Sequence, residues 1–219
     1  MEDMKELEKK VYLSMFDDGL WDIYFGMMLL GMGIGSYVRN IFESLGLPEM
    51  IVSFLFPGLA IVVLVAGKAL IVRPRIGLVK FSPERMRKMA FAKLALSILI
   101  VVSIVATAGL WYLGSSGFHP SQGSIEDLFL GPLMISLIVF IPLVLIGFFL
   151  KFERMYVIAT LFGLSMFLGE SARAFGAGEL PGDVGMSIAG LAVLLFGVQY
   201  LLKFLEKYPI IRGEKHGHE

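Results

Sequence analysis

Few side chains in this 219-residue chain are of types that do chemistry, and they are widely scattered. There is no cysteine, so disulfides, thiolate metal sites and cysteine nucleophiles are excluded. The three histidines are His119, His216 and His218. His216 and His218 flank Gly217 near the end of the chain, where a flexible tail explains them without a metal. Gly163-Leu164-Ser165-Met166 places a serine within an apolar run, yet a serine nucleophile needs a base, and no histidine is near in sequence. No phosphate-binding P-loop motif occurs. No catalytic residue, metal ligand or cofactor is assigned, and the balance is against an enzyme.

Three charged residues remain as a candidate intramembrane polar site: Glu170, Arg173 and Asp22. Glu170 and Arg173 are three apart and share a helix face. They are either an ion pair that fixes a helix end or a contact for a substrate or ion. Asp22 opens an apolar run and is expected to pair with Lys68 or Lys93 as a structural lock. A second candidate is the polar island Arg73 to Lys93, whose Arg73, Arg75, Lys80, Arg85, Arg87 and Lys88 are candidate contacts for lipid or a partner. Within it Ser82-Pro83-Glu84 reads as helix cap, first helical position and early-turn acid.

The elements that must position these residues are membrane helices. The chain is 57% hydrophobic and only 17% charged. Soluble domains are usually about 45–50% apolar and about 25% charged. Six apolar stretches are each close to the ~20 residues that cross a bilayer core. They run about 20–39, 50–72, 90–113, 129–150, 155–175 and 184–202, as one transmembrane domain over 20–205. The first twenty residues are acidic and polar, so no cleavable signal peptide is expected.

The basic residues orient these spans. With the 73–93 island in the cytoplasm and six spans, both termini are cytoplasmic too. Seventeen of the 19 basic residues then lie inside, and only Arg39 and Arg173 lie outside. Cytoplasmic loops carry such an excess of Lys and Arg, and one helix more or fewer would spoil the split. Trp21, Tyr24, Tyr156, Tyr200 and Tyr208 fall at the inner headgroup level, and Tyr37, Trp111 and Tyr112 at the outer one.

The expected fold is an all-α membrane protein, with six transmembrane helices as three antiparallel hairpins. Residues 1–19 form a cytoplasmic amphipathic helix, with Met4, Leu7, Val11 and Met15 on one face. Residues 206–219 form a cytoplasmic tail. Small residues four apart, at Gly31 and Gly35, Ala159 and Gly163, Ser165 and Gly169, and Gly185 and Ala189, are expected at helix contacts. Pro142 is expected to kink the fourth span. Lysine–phenylalanine pairs at Lys80-Phe81, Lys151-Phe152 and Lys203-Phe204 suit either a repeat of three hairpins or shared interface chemistry.

Asp18-Gly19-Leu20-Trp21-Asp22-Ile23 with Gly26, and Pro74-Arg75-Ile76-Gly77-Leu78-Val79-Lys80-Phe81, resemble segments of a loose group of uncharacterised prokaryotic polytopic membrane proteins. The resemblance implies a multi-pass architecture and carries no activity. Two functions stay open. The first is a non-enzymatic accessory or anchoring protein of the cell membrane. Its basic cytoplasmic face would meet anionic lipid, a protein partner or a second copy; nucleic acid is not expected. The alternative is a small transporter or channel-like protein, with its site near Glu170, Arg173 and the Pro142 kink.

Overall fold

The computed structural model describes residues 16–46, 49–76, 125–177 and 180–209, with residues 90, 94, 97, 101 and 105. Among them there are helices and turns and no strand. Helix α1 is Leu20–Ser44. Helix α2 is Glu49–Gly67, and it continues without a break through a π-helical turn, Lys68–Val72, into α3, Arg73–Ile76. Helices α4, α5 and α6 are Ile125–Leu150, Arg154–Ala174 and Leu180–Lys207.

Among the described residues four helices are long and apolar enough to cross a membrane: Leu55–Arg75, Phe129–Leu150, Arg154–Ala174 and Leu180–Lys207. Helix α1 contributes a shorter apolar stretch, Leu20–Gly35. Residues 90, 94, 97, 101 and 105, spaced along one helical face, are helical and exposed. The rest of the expected third span lies outside the described residues. So do residues 1–15, the 114–124 loop, Lys80, Arg85, Arg87, Lys88, Lys93 and the tail beyond 209.

A backbone in lipid must satisfy its own hydrogen bonds, and a helix does this within the segment. Accordingly, α4 stays helical through Pro132 and Pro142. Val62, Val65, Ile141, Phe148 and Ile188 point outward, as suits an apolar solvent. Inside, α5 is the most enclosed of the four long apolar helices. Its Met155, Ile158, Ala159 and Phe162 pack with Leu143 of α4, Ala189 and Val193 of α6, and Leu29 of α1. A second cluster joins Leu20 and Ile23 of α1 to Val72 and to Phe204 of α6.

The helices touch in the order α2, α1, α6, α5, α4, and the most extensive contact is between α1 and α6. Glycine makes this seam close. A Cβ added at Gly26 would stand 2.6 Å from the Leu194 nitrogen. One at Gly197 would stand 2.6 Å from the Ile23 nitrogen, and one at Gly33 would stand 2.5 Å from the Ser187 nitrogen. Residue numbers rise on α1 as they fall on α6, so the two helices are antiparallel. Gly19, Gly26 and Gly33 recur every seven residues, as do Gly190 and Gly197. A seven-residue repeat keeps one stripe of a helix against its neighbour.

The small residues named from sequence divide. Gly163 sits against Phe140, and Gly169 against Gly182. Gly31 sits against Phe56, whereas Gly35 and Gly185 face open space. The Lys–Phe pairs also differ locally. Lys151 has φ 53° in the turn between α4 and α5, while Lys203 lies within α6. Phe152 and Phe204 are both buried, and Lys80-Phe81 lies outside the described residues.

Candidate functional site

The start of α1, the ends of α2 and α4, the start of α5 and the end of α6 meet at one end of the bundle. There the chain builds a charged cluster from five segments. Asp17 and Asp18 precede α1, and Asp22 is in its first turn. Lys68 opens the π-helical turn, Arg154 opens α5, and Tyr200 belongs to α6.

Arg154 is the hub. Its Nη1 donates to Asp22 Oδ2 at 2.8 Å, and its Nη2 donates to the Phe16 carbonyl at 2.7 Å. Its guanidinium carbon lies 3.9 Å from the centre of the Tyr200 ring and 5.0 Å from that of Phe152. Asp17, largely exposed, is 3.6 Å away. Lys68 Nζ donates to Asp18 Oδ2, and Asp18 Oδ1 accepts from the Leu20 N–H at 3.0 Å. Asp18 is fully buried. Burial pushes its carboxyl above the ordinary range, and Lys68 pulls it part of the way back.

Local sequence explains how these groups converge. Gly19 takes φ 75°, which turns the chain into α1 where Gly19 meets the α6 backbone at Gly197 and Leu201. A side chain there would be strained and would collide with that backbone. The turn leaves Asp18 under the helix start and Asp22 one turn above it. Phe16, Trp21, Tyr24 and Phe25 form a chain of aromatic contacts beside the cluster, and Phe16 also meets Phe152.

Asp22 therefore pairs with Arg154, where the sequence suggested Lys68 or Lys93. Lys68 is at the right end of the bundle but serves Asp18. The sequence reading overlooked Asp18 and Arg154, although Asp17-Asp18-Gly19 abutting an apolar run was a visible signal.

The other sequence candidates stand apart. Glu170 Oε1 accepts from Arg173 Nη1 at 2.8 Å near the far end of α5. At about 1.5 Å per residue, Arg173 is about 28 Å along α5 from Arg154. The structure thus splits Glu170 and Arg173 from Asp22. Helix α5 then ends in a C-terminal motif: Gly176, at φ 79°, lets the Ala177 N–H reach the Ala172 carbonyl at 2.8 Å. Of the basic candidates, Arg73 is exposed and Arg75 is half-buried.

Charge is unequal between the two ends. Among the described residues the cluster end holds seven bases, Lys68, Arg73, Arg75, Lys151, Arg154, Lys203 and Lys207, with five acids, Asp17, Asp18, Asp22, Glu153 and Glu206. Of the side chains the structure describes, the opposite end holds two bases, Arg39 and Arg173, with three acids, Glu43, Glu170 and Asp183. Among the described residues no group of three His, Cys, Asp or Glu side chains could hold a metal. No protein-family model, curated protein or solved structure matches the chain.

Proposed function

We propose that this chain is a multi-pass protein of the cell membrane. Six spans form three antiparallel hairpins, both termini are cytoplasmic, and residues 1–19 form an amphipathic helix on the inner surface. It acts as a non-enzymatic accessory or anchoring component whose basic cytoplasmic face meets anionic lipid or a protein partner. The observation that carries this reading is the charge asymmetry between the two ends of the bundle. Loops that stay in the cytoplasm are rich in Lys and Arg. At the basic end Asp18 and Asp22 are buried against Lys68 and Arg154. Arg73, Lys151, Lys203 and Lys207 remain exposed, at the depth where each basic residue gains about 1 kcal/mol from an anionic leaflet.

The transporter reading loses support from the same geometry. Glu170 and Arg173 bond to each other, and the described centre of the bundle is packed with Leu29, Leu143, Ile158 and Phe162.

Absence of native cysteine makes the test direct. Ser44→Cys should react with a membrane-impermeant maleimide on intact cells. Lys151→Cys and Lys207→Cys should react only after permeabilisation. Reversed labelling would overturn the orientation. Protein extracted from mixed membranes should retain anionic over zwitterionic lipid. Solute flux in proteoliposomes that vanishes in Glu170→Gln would replace this reading with the transporter.

A further inference from the structure

Two ion pairs tie other helices to the start of α1, and they differ in how they can open. Arg154 is held by Asp22, by the Phe16 carbonyl and over the rings of Tyr200 and Phe152, so losing one contact leaves the rest. Lys68 reaches Asp18 Oδ2 with a side chain that is 28% exposed, so water is at hand when that pair parts.

The rod beyond Lys68 has a weak backbone ladder. Lys68–Val72 is a π-helical turn, in which the Arg73 N–H reaches back to the Lys68 carbonyl. Pro74 follows two residues after the turn and has no N–H to give. Helices bend at π turns and at prolines, and such turns are frequent at functional sites. Before this point α2 is firmly seated, with Ala60 fully buried and Gly67 against the Leu20 side chain. Beyond it two effects oppose each other. Val72 packs with Leu20, Ile23 and Phe204, which favours the docked position. Arg75 Nε is buried without an acceptor among the described residues, which is a cost of that position.

Asp18 is the group that can part the pair. It is fully buried and accepts from the Leu20 N–H and from Lys68. The charged groups facing it are Lys68 from the α2 rod, Arg154 from α5, and Asp17 and Asp22 on its own segment. Helix α6 brings Tyr200 beside Gly19, with Lys203 Nζ 5.7 Å from the centre of that ring. Burial raises the Asp18 carboxyl and Lys68 lowers it, so the carboxyl holds a proton more readily once Lys68 has left. Acid therefore favours the released form.

We propose that the Lys68–Asp18 pair is a proton-operated latch. Protonation of Asp18 frees Lys68, and Arg73–Ile76 then swings away from the bundle about the π-helical turn. Arg154 keeps its contacts, so α5 stays in place. The latch goes beyond the basic-face reading and does not depend on it.

The test places spin labels on Arg73→Cys and Lys207→Cys in the full chain, which has no native cysteine. Both positions are exposed, on α3 and on α6. Pulsed electron paramagnetic resonance in nanodiscs reads the distance between them. A bend of about 20° at Lys68 moves Arg73, about 7 Å along the rod, by about 2–3 Å. From about pH 8 to about pH 5, above the ordinary carboxylate range, a second and longer distance should gain on the first. The gain should be about tenfold, the scale of one charge-assisted hydrogen bond. Asp18→Asn and Lys68→Met should each show the longer distance at both pH values. A reference pair, Lys151→Cys with Lys207→Cys, reads the Arg154 side and should keep one distance throughout, which also reports that each variant is folded. A single unchanged distance in the labelled chain at both pH values would overturn the latch. So would folded variants that keep the shorter distance or still respond to pH. An equal change in the reference pair would overturn it too, because the whole end of the bundle would then be loosening.

Discussion

Arg154→Gln tests the charged cluster most severely. The substitution removes the 2.8 Å pair with Asp22, the 2.7 Å bond to the Phe16 carbonyl and the cation over Tyr200. The Asp22 side chain is only 5% exposed, and that of Arg154 is 20% exposed, so solvent screens the pair weakly. Stranding a buried charge in this way costs about 3–5 kcal/mol. Asp17, whose side chain is 70% exposed, contributes little, and Asp17→Asn should cost under about 0.5 kcal/mol. In the double variant Asp22→Asn/Arg154→Gln two neutral amides face each other and no charge is stranded. It should be more stable than Arg154→Gln alone, with a coupling of about 2 kcal/mol. Reversible unfolding by SDS in mixed micelles reads these differences. Trp21 fluorescence in a Trp111→Phe background reports the site, because Trp21 stacks on Phe16 and Phe25. The reasoning fails if Arg154→Gln costs no more than Asp17→Asn, or if the double variant costs the sum of the two single ones.

The same unfolding assay separates two kinds of glycine. Gly26→Ala drives a methyl into the Leu194 backbone and should destabilise by about 1–3 kcal/mol. Gly131→Ala meets open space and should stabilise by up to about 1 kcal/mol through helix propensity. Glu170→Gln breaks a partly exposed pair and should change stability by less than about 1 kcal/mol; a larger loss would mean that Glu170 does more than hold Arg173. Lys68→Met leaves the buried Asp18 carboxyl without its counter-charge, so its folded-state value rises further. A raised acid gives stability that is full below its unfolded value of about 3.9 and is lost as pH climbs through the folded one. The deficit of Lys68→Met against wild type should therefore be small near pH 4 and grow toward pH 8, while Asp18→Asn/Lys68→Met stays flat.

How far these features were legible in the sequence depends on how local their causes are. The ends of α4 and α5 follow from apolar length and from the charges that close each run, and these were readable within a few residues. The charge asymmetry was readable as well, because it needs only the alternation of helix direction. Lateral order was not. Lys68 and Arg154 both belong at the depth of Asp22, and choosing between them requires knowing that α1 also touches α5. The α1–α6 seam joins residues more than 150 positions apart in sequence, such as Gly26 and Leu194. Its signal, glycine every seventh residue, was present but differs from the four-residue spacing of Gly31 and Gly35, of which Gly31 alone meets a neighbour. The segment Asp18 to Ile23 stands out in sequence as a motif. In the fold it supplies Asp18, the Gly19 turn and Asp22, three of the groups that build the cluster.

Seam and cluster together give the basic end its shape. Close glycine contact draws α1 and α6 together along their length, and the first helix thereby holds the last in place. Lys68 ties α2 to the start of α1, and Arg154 ties α5 to the same point. Five helix ends are thus referred to a few residues around Asp18 and Asp22. Exposed bases on α3, α6 and the α4–α5 turn then stand at fixed spacing on a scaffold that loses little entropy when a ligand or partner meets it. A loose set of the same charges would attract an anionic surface equally well at long range. It would not hold them at fixed spacing when a partner arrives.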